Sequence, residues 1–231
     1  MLSEQLTEIY QLLFDRFGPQ SWWPGETQFE IITGAILTQN TNWTNVEKAI
    51  ANLKKADLLT PEKLYHLDAL QLAELIRPAG YYNIKTKRLK SFLDWLFNNY
   101  DGQLENLEEL DTDRLREELL AVKGIGPETA DSILLYAFDR PIFVVDAYTA
   151  RVAVRHGLIE PDFGYEQLRD LFQSNLPESA AGRRDLAEGG DVQLFNEYHA
   201  LLVRLGKEFC RPSAKCACCP LEKLPHNLDI Q

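Results

Sequence analysis

No stretch of this sequence stays apolar for the roughly 20 residues that a membrane-spanning helix needs. The N-terminal segment MLSEQLTEIYQLLFDRFG has the pattern of an acidic amphipathic helix rather than that of a signal peptide. We therefore expect no membrane partner and an intracellular, cytoplasmic location. The chain has 231 residues, 45% of them hydrophobic, which is enough to bury a sizeable core in one domain or in two small ones.

Positive charge is scarce, since 24 lysine and arginine residues stand against 35 aspartate and glutamate residues and the net charge is -11. This balance argues against a polyanionic partner, because affinity for nucleic acid comes largely from cations that meet phosphate. The charges are nevertheless segregated: residues 71–90 are basic and residues 94–119 are acidic. Either one face of the protein is positive, or both stretches are ordinary solvated helix faces. The basic residues of the first stretch are Arg77, Lys85, Lys87, Arg88 and Lys90.

Cysteine is also rare, and all four cysteines lie within the segment CRPSAKCACC at positions 210, 216, 218 and 219. A secreted disulfide scaffold would spread its cysteines along the chain to close loops. The clustering therefore predicts a metal or metal-cluster site in a reducing compartment.

Apolar residues spaced at i, i+3 or i+4 run through most of the chain and predict an all-α fold. Helix starts with a cap residue, an early acid or a proline are predicted around Thr60, Asp111 and Gly126. The polar stretch 177–191 is expected to form a surface loop with a short helix. The predicted helices cover residues 2–17, 29–39, 46–55, 61–76, 85–100, 112–122, 127–138, 147–158, 165–176 and 192–209.

A glycine-rich hairpin separates two of these helices, and its only residues are Lys123, Gly124, Ile125 and Gly126. So short a link makes the two helices antiparallel neighbours, and glycine permits backbone angles that a Cβ would forbid. The amides of the hairpin and of the next helix start can then form an anion site without a positive side chain, to which Lys123 adds one charge. Taken alone, the motif is weak, and a purely structural helix-helix turn is the favoured interpretation.

A further helix start follows the hairpin helix, where Asp146 is placed to cap the segment AYTARVAVRHG after the connector DRPIFVV. This order of hairpin, helix, connector and capping aspartate resembles the helix-hairpin-helix (HhH-GPD) glycosylases of base excision repair, the endonuclease III superfamily. The resemblance extends to FEIITGAILTQNTNW, to IRPAGYYNIKTKRLK and to the C-terminal cysteines, so it covers nearly the whole chain. It implies that the partner is double-stranded DNA with damaged bases, and we expect a monomer.

The resemblance assigns roles to several residues, because an enzyme of this kind must extrude a nucleotide from the duplex and fill the gap. Gln39 is the expected filler, with Asn40 as its substitute, and Tyr81 is the expected wedge. The alternative is a helix-capping amide and a core tyrosine. Asp146 is expected to stabilise the positive charge that develops on the sugar and to orient or deprotonate the attacking water. A simple helix cap is compatible with that role.

The hairpin helix departs from the family pattern at Glu128. Members that also cut the strand carry a lysine there, whose amine forms a Schiff base with the sugar. A glutamate cannot do so, and unless Lys123 or another amine substitutes for it, we expect a monofunctional glycosylase. Glu128 itself suits the first turn of a helix.

The aromatic residues favour an alkylated purine as the target, because aromatic faces attract an electron-poor, positively charged base. The pattern WWP at Trp22 and Trp23, with Trp43 and Glu128, resembles the 3-methyladenine branch of the superfamily; the alternative is that the tryptophans are core residues. Two other functions compete with this one. One is an endonuclease III-type glycosylase and abasic-site lyase for oxidised pyrimidines, and the other is a non-catalytic DNA-binding module.

By resemblance, the cysteine loop implies a [4Fe-4S] cluster bound by Cys210, Cys216 and Cys219. The fourth family position holds Pro225, so Cys218 or His226 would have to complete the set. A zinc ion or a degenerate site without metal are the alternatives. The expected role is to shape a basic loop against DNA, formed by Arg204, Lys207, Arg211 and Lys215.

The resemblance implies a two-lobed architecture with a cleft between the lobes. Residues 24–139 would form a central helical barrel that carries the hairpin. Residues 1–23 and 140–231 would form the second lobe, with the cysteine loop at its end and Asp146 at the mouth of the cleft.

Overall fold

A computed structural model describes residues 2–176 and 190–228 of the chain, and every regular element in these ranges is helical. The all-α prediction is therefore confirmed. A 3-10 turn spans Arg77–Ala79. The α-helices are α1 Leu2–Phe17, α2 Gln28–Thr38, α3 Trp43–Lys55, α4 Pro61–His66, α5 Ala69–Leu75, α6 Tyr82–Tyr100, α7 Glu105–Glu108, α8 Thr112–Ala121, α9 Pro127–Ala137, α10 Ala147–Arg155, α11 Tyr165–Asn175 and α12 Gly190–Glu208.

The chain divides into two compact units. The first, here called the terminal unit, comprises Met1–Trp22 and Pro141–Gln231. The second, here called the hairpin unit, comprises Trp23–Arg140. Among the described helices, none is both long enough and apolar enough to cross a membrane. The predicted loop at 177–191 falls mostly on residues 177–189, which lie outside the described ranges, and α12 begins directly after them at Gly190.

Helix α2 is the centre of the hairpin unit, because it packs against α3, α6 and α9. It is buried on nearly all sides, as its apolar sequence QFEIITGAILT requires. Thr27 caps its N-terminus by accepting a hydrogen bond from the Glu30 amide at 3.2 Å. Helices α8 and α9 also pack together, with Leu115, Leu119, Ile133 and Leu134 fully buried.

The predicted helix 61–76 is wrong in one respect, since it is broken into α4 and α5. Leu67 is extended and the Asp68 carboxylate caps α5 by accepting from the Leu70 amide at 2.9 Å. The Lys90 ammonium donates to the carbonyls of Leu64, Tyr65 and Leu67, at 2.6 to 2.8 Å. A local cap and a distant cation therefore satisfy the groups that the break exposes, which apolar periodicity does not reveal.

The core of the terminal unit forms where α12 packs on α10 and α1. The rings of Phe143 and Phe172 stack with centroids 4.6 Å apart, and Tyr198 meets both edge-on. Gly206 on α12 allows a close approach to α10, because a Cβ there would lie 2.3 Å from the Tyr148 ring. This packing fixes the start of α10, which carries Asp146.

Candidate functional site

The hairpin between α8 and α9 has the backbone that its glycines predict. Gly124 lies at a φ of +96°, and Ile125 is buried and donates from its amide to the Val122 carbonyl at 3.0 Å. A Cβ on Gly124 would lie 2.5 Å from Cγ of Arg88, so the position also requires glycine for space. Helix α9 begins at Pro127 and has no side-chain cap at Gly126. A helix start of this kind can bind an anion through its backbone amides.

Gln39 is bound to this hairpin through its side-chain amide. Its Nε2 donates to the Gly124 carbonyl at 3.1 Å and to Oγ1 of Thr129 at 2.8 Å. Its Oε1 accepts from Nη1 of Arg88. Asn40, the next residue, is exposed and has a left-handed backbone with φ +53°. The two candidate gap fillers thus differ, because Gln39 is hydrogen-bonded through both amide atoms and Asn40 is exposed.

Tyr81 precedes α6 and exposes 67% of its surface, which excludes the core tyrosine reading. Its backbone is left-handed with φ +46°, and it follows Gly80 with φ +68°. Ile84, one turn further on, is also half exposed. An exposed pair of large side chains at a helix start is a surface that can contact a partner.

Lys85 belongs to the basic stretch 71–90, and its burial was not predicted from the sequence. Its side chain is fully buried, and Nζ donates to the carbonyls of Leu37 at 2.8 Å and Ala79 at 2.7 Å. Burial, with a smaller effect from the charge of Arg88, lowers the pKa of Lys85 to about 8. Lys90 is likewise bound to carbonyls, and Arg77 pairs with Glu74 at 3.3 Å. The basic stretch 71–90 is therefore not a continuous positive face, because part of its charge is directed into the unit.

Two of the three candidate pocket tryptophans come together in the hairpin unit. The rings of Trp23 and Trp43 meet edge-on with centroids 4.8 Å apart, and Trp23 also contacts the Tyr136 ring at 5.1 Å. Both tryptophans lie against Gly34, where a Cβ would be 3.1 Å from Trp23 and 3.4 Å from Trp43. Trp22 belongs to the terminal unit. Tyr136 was missed, although a tyrosine inside the apolar run of α9 was a usable signal.

Glu128 and Lys123 are both exposed. Glu128 is the second residue of α9 and lies in its first turn, where a carboxylate complements the helix dipole. Lys123 precedes the hairpin glycines. The start of α9 thus presents the Glu128 carboxylate, with Lys123 five residues before it in the sequence.

Asp146 caps α10, as predicted. Its Oδ1 accepts from the Thr149 amide at 2.8 Å and from the Thr149 hydroxyl at 3.0 Å. Within the described residues no hydrogen bond is made to its Oδ2, and the side chain is half-buried. One oxygen therefore fixes the carboxylate, and the other remains available for a ligand.

The connector before Asp146 is held by side chains that sequence reasoning missed. Residues 142–145 are buried and belong to no helix or strand. The Phe143 amide donates to Oε1 of Gln173 at 3.2 Å. The Val144 carbonyl lies 2.9 Å from Nδ1 of His199, which is 7% exposed. These two contacts satisfy buried backbone groups and hold the segment that leads into Asp146.

Three of the four cysteines, Cys210, Cys216 and Cys219, line one pocket in the terminal unit, together with His156 and His226. Burial raises the pKa of the Cys219 thiol, and the nearby Cys210 and Cys216 raise it further. Cys218 is exposed, has φ +68° and does not line the pocket. Within residues 2–176 and 190–228, no group of three or more His, Cys, Asp or Glu side chains is arranged to hold a metal ion.

Hydrogen bonds from Arg155 and His226 hold the residues around this pocket. Arg155 is buried, and its Nη1 donates to the Cys210 Sγ at 3.3 Å and to the Arg211 carbonyl at 2.7 Å. Nδ1 of His226 lies 2.8 Å from the Leu224 carbonyl, which leaves Nε2 as the ring's free nitrogen. The expected basic loop is partly neutralised, since Arg204 pairs with Glu208 at 2.9 Å.

Comparison with known proteins identifies what this chain is similar to. The pattern that defines the HhH-GPD superfamily base excision DNA repair proteins matches residues 33–178. The chain is 48% identical to the "Putative DNA repair glycosylase MJ1434" of Methanocaldococcus jannaschii over 95% of each chain. It is 28% identical to the endonuclease III of Sulfolobus acidocaldarius, over 79% of this chain and 74% of that protein.

Two solved structures extend the comparison. The H. pylori 3-methyladenine DNA glycosylase MagIII, bound to 1,N6-ethenoadenine, has a TM-score of 0.75 and 32% identity, covering 89% of this chain and 97% of that one. A non-covalent endonuclease III–DNA complex has a TM-score of 0.78 and 21% identity, covering 96% and 94%. The second likeness concerns the fold alone. The predicted resemblance to helix-hairpin-helix glycosylases is confirmed by these matches.

Proposed function

Since the chain belongs to the HhH-GPD superfamily of base excision DNA repair glycosylases, we propose that it is a monofunctional DNA glycosylase that releases an alkylated purine. The observation that carries this proposal is the pairing of two features. Asp146 is held by one carboxylate oxygen with the other open, and the hairpin helix carries Glu128 where a lyase would need an amine.

The proposed DNA contact is the hairpin. The uncapped start of α9 and the tight turn at Gly124 and Gly126 offer backbone amides to one phosphate. Ile125 anchors the turn in the core, and Lys123 adds a single exposed charge. Because the amides are neutral donors, this contact is compatible with a chain of net charge -11.

The proposed extrusion of the target base uses the exposed residues near the start of α6 and the end of α2. Tyr81 is a large exposed ring that can stack in a duplex, and Asn40 projects from its turn. Gln39 can enter the gap only after its bonds to Arg88, Gly124 and Thr129 break. If these bonds persist, Gln39 keeps holding the hairpin, and Asn40 fills the space that the extruded base leaves in the duplex.

Hydrolysis of the N-glycosidic bond develops positive charge on the sugar while the bonding electrons leave with the base. We propose that the open Oδ2 of Asp146 stabilises this charge and takes a proton from the water that adds to the sugar carbon. A purine methylated at N3 or N7 carries a positive charge before cleavage and leaves as a neutral base, so for this substrate the site needs no strong acid to protonate it.

Strand cleavage is not part of the proposal, because no suitable amine is evident at the hairpin helix. Glu128 cannot form a Schiff base. Lys85 has a lowered pKa, as a nucleophilic amine would, but it is fully buried and bound to two carbonyls. Lys123 is exposed, and the experiment below tests whether it substitutes.

The proposed base pocket is aromatic. The contacting rings of Trp23, Trp43 and Tyr136 can stack on a purine, and a cationic purine gains additional attraction to them. The similarity to a 3-methyladenine glycosylase that binds 1,N6-ethenoadenine supports this substrate class. Trp22 belongs to the terminal unit, and its part in a base pocket stays a prediction.

We further propose that the C-terminal loop binds a [4Fe-4S] cluster through Cys210, Cys216 and Cys219, with His226 as the fourth ligand. A zinc ion would need its donors within about 2.3 Å of one point, and no such group is present among the described residues. A cluster is larger, so thiolates that merely line one pocket suit it better. When bound, it would cross-link the loop, while Arg155 supports Cys210. Iron retained in Cys218→Ser and lost in His226→Ala would support this ligand set; the opposite pattern would contradict it.

The function is tested with end-labelled duplexes that contain methylated purines or, in parallel, thymine glycol. Each reaction is scored with and without alkali, which breaks the strand at abasic sites. The proposal predicts breaks at methylated purines only after alkali. Breaks without alkali at thymine glycol would instead indicate a lyase of the endonuclease III type. Binding without release of any base would indicate a non-catalytic DNA-binding module.

A further inference from the structure

One face of α6 lies between the two segments that are proposed to enter the duplex, one ending at Gln39 and Asn40 and the other at Tyr81. Tyr81, Lys85 and Arg88 are spaced at i, i+4 and i+7, so they lie along one side of the helix start. Lys85 donates to the carbonyl of Leu37, two residues before Gln39, and to that of Ala79, two residues before Tyr81. The Lys85 ammonium therefore connects two segments, here called the Gln39 arm (residues 37–40) and the Tyr81 arm (residues 79–81).

The need to fill space in the core does not explain why a lysine is buried at position 85. Its side chain is fully buried in the hairpin unit, and burial of an ammonium carries a large free-energy cost unless hydrogen bonds offset it. A methionine would occupy similar space without that cost. It would, however, leave the Leu37 and Ala79 carbonyls without their donor, because both lie at the ends of helical segments.

Arg88 supports the same arrangement one turn further along α6. Its guanidinium donates to Oε1 of Gln39, and its side chain packs against Gly124. The Gln39 arm is thereby fixed to the hairpin, and the Tyr81 arm is fixed to the Gln39 arm through Lys85. These contacts all lie within the hairpin unit.

We propose that Lys85 is the positioning residue of base extrusion, which holds the arm ending at Gln39 and Asn40 at a fixed separation from the arm ending at Tyr81. The inference rests on the proposed glycosylase function. Lys85 touches no DNA itself, and its effect appears only where a paired base must be driven out of the helix. Misplacement of either arm weakens extrusion without changing the chemistry at Asp146.

The chain supplies a matched control on the same helix. Lys90 also directs its ammonium to backbone carbonyls, those of Leu64, Tyr65 and Leu67. These carbonyls serve the junction between α4 and α5, which carries none of the residues proposed to contact DNA. Lys90→Met therefore removes the same kind of interaction without disturbing the two arms.

The experiment compares single-turnover release of a methylated purine from a fully paired duplex and from a bulge in which the same base is unpaired. A fluorescent base analogue beside the lesion reports extrusion in the paired duplex. For Lys85→Met we expect release from the paired duplex to fall by roughly 10- to 100-fold, release from the bulge to change by less than about threefold, and the extrusion signal to weaken. For Lys90→Met we expect equal small changes on both substrates.

Equal losses on the two substrates for Lys85→Met would overturn the inference, because a general loss of structure affects both alike. If Lys85→Met fails to fold, the same two release rates, from the paired duplex and from the bulge, are compared for Lys85→Gln, which keeps one amide donor. Failure of the wild-type protein to release any base from either substrate would refute the proposed function itself, which separates the two claims.

Discussion

Thr149 fixes the carboxylate of Asp146 by one oxygen only, with its amide at 2.8 Å and its hydroxyl at 3.0 Å from Oδ1. Thr149 is itself fully buried. The same two bonds cap α10 and orient the proposed catalytic group, so a structural role and a chemical role share one geometry.

Thr149→Val removes the hydroxyl bond and keeps the amide bond. We expect kcat for base release to fall roughly fivefold, the equivalent of about 1 kcal/mol for one hydrogen bond, with KM unchanged. Thr33→Val is the control, since the Thr33 hydroxyl is equally buried and has no hydrogen bond among the described residues. A larger effect of the Thr33 change would show that the loss reflects packing.

Glu128→Lys should introduce the missing amine at an exposed first-turn position. We expect borohydride to trap a covalent complex of this variant with lesion-containing duplex and to trap none with the wild-type protein. Glu62→Lys is a matched control, because α4 also begins with proline followed by an exposed glutamate. A trapped wild-type complex would mean that another amine, such as Lys123, already acts as a lyase.

Arg88→Met removes the charged donor to Gln39 and part of the packing on Gly124. We expect the free energy of unfolding in urea to fall by about 1 to 3 kcal/mol, because a charged hydrogen bond in a half-buried site is lost. Arg77→Met removes an exposed ion pair with Glu74 and should cost about 0 to 1 kcal/mol. Equal losses in the two variants would indicate that Arg88 does not brace Gln39.

The lowered pKa of Lys85 predicts how the free energy of unfolding depends on pH. Its pKa is lowered from 10.5 to about 8 in the folded protein, so between these values the unfolded chain binds a proton that the folded chain does not. The free energy of unfolding of the wild type, relative to that of Lys85→Met, should therefore rise as the pH goes from 8 to 10.5. Urea unfolding at several pH values measures this difference, and a flat difference would contradict the buried ammonium.

The sequence predicted the elements that local patterns encode. Apolar periodicity located the long helices, and the cap residues Thr60, Asp111 and Asp146 marked helix starts that the structure confirms. The glycine hairpin was predictable for the same reason, since Gly124 needs a positive φ that few other residues adopt.

Distant interactions were not predictable from one sequence. Lys85 and Lys90 looked like surface charges, because only the folded chain brings carbonyls of other segments to them. His199 and Gln173, which hold the connector before Asp146, lie 55 and 30 residues away from their partners. A polar side chain in an apolar helix signals such a role but does not name its partner.

Asp146→Asn shows whether the Asp146 carboxylate performs the chemistry of base release. Asparagine caps a helix as well as aspartate does, so α10 should keep its start. The account predicts that single-turnover release of a methylated purine falls by about 10²- to 10⁴-fold, while binding to a duplex with an abasic site stays within about threefold of wild type, since the hairpin contact is untouched. If the variant releases the base at the wild-type rate, the Asp146 carboxylate does not perform this chemistry.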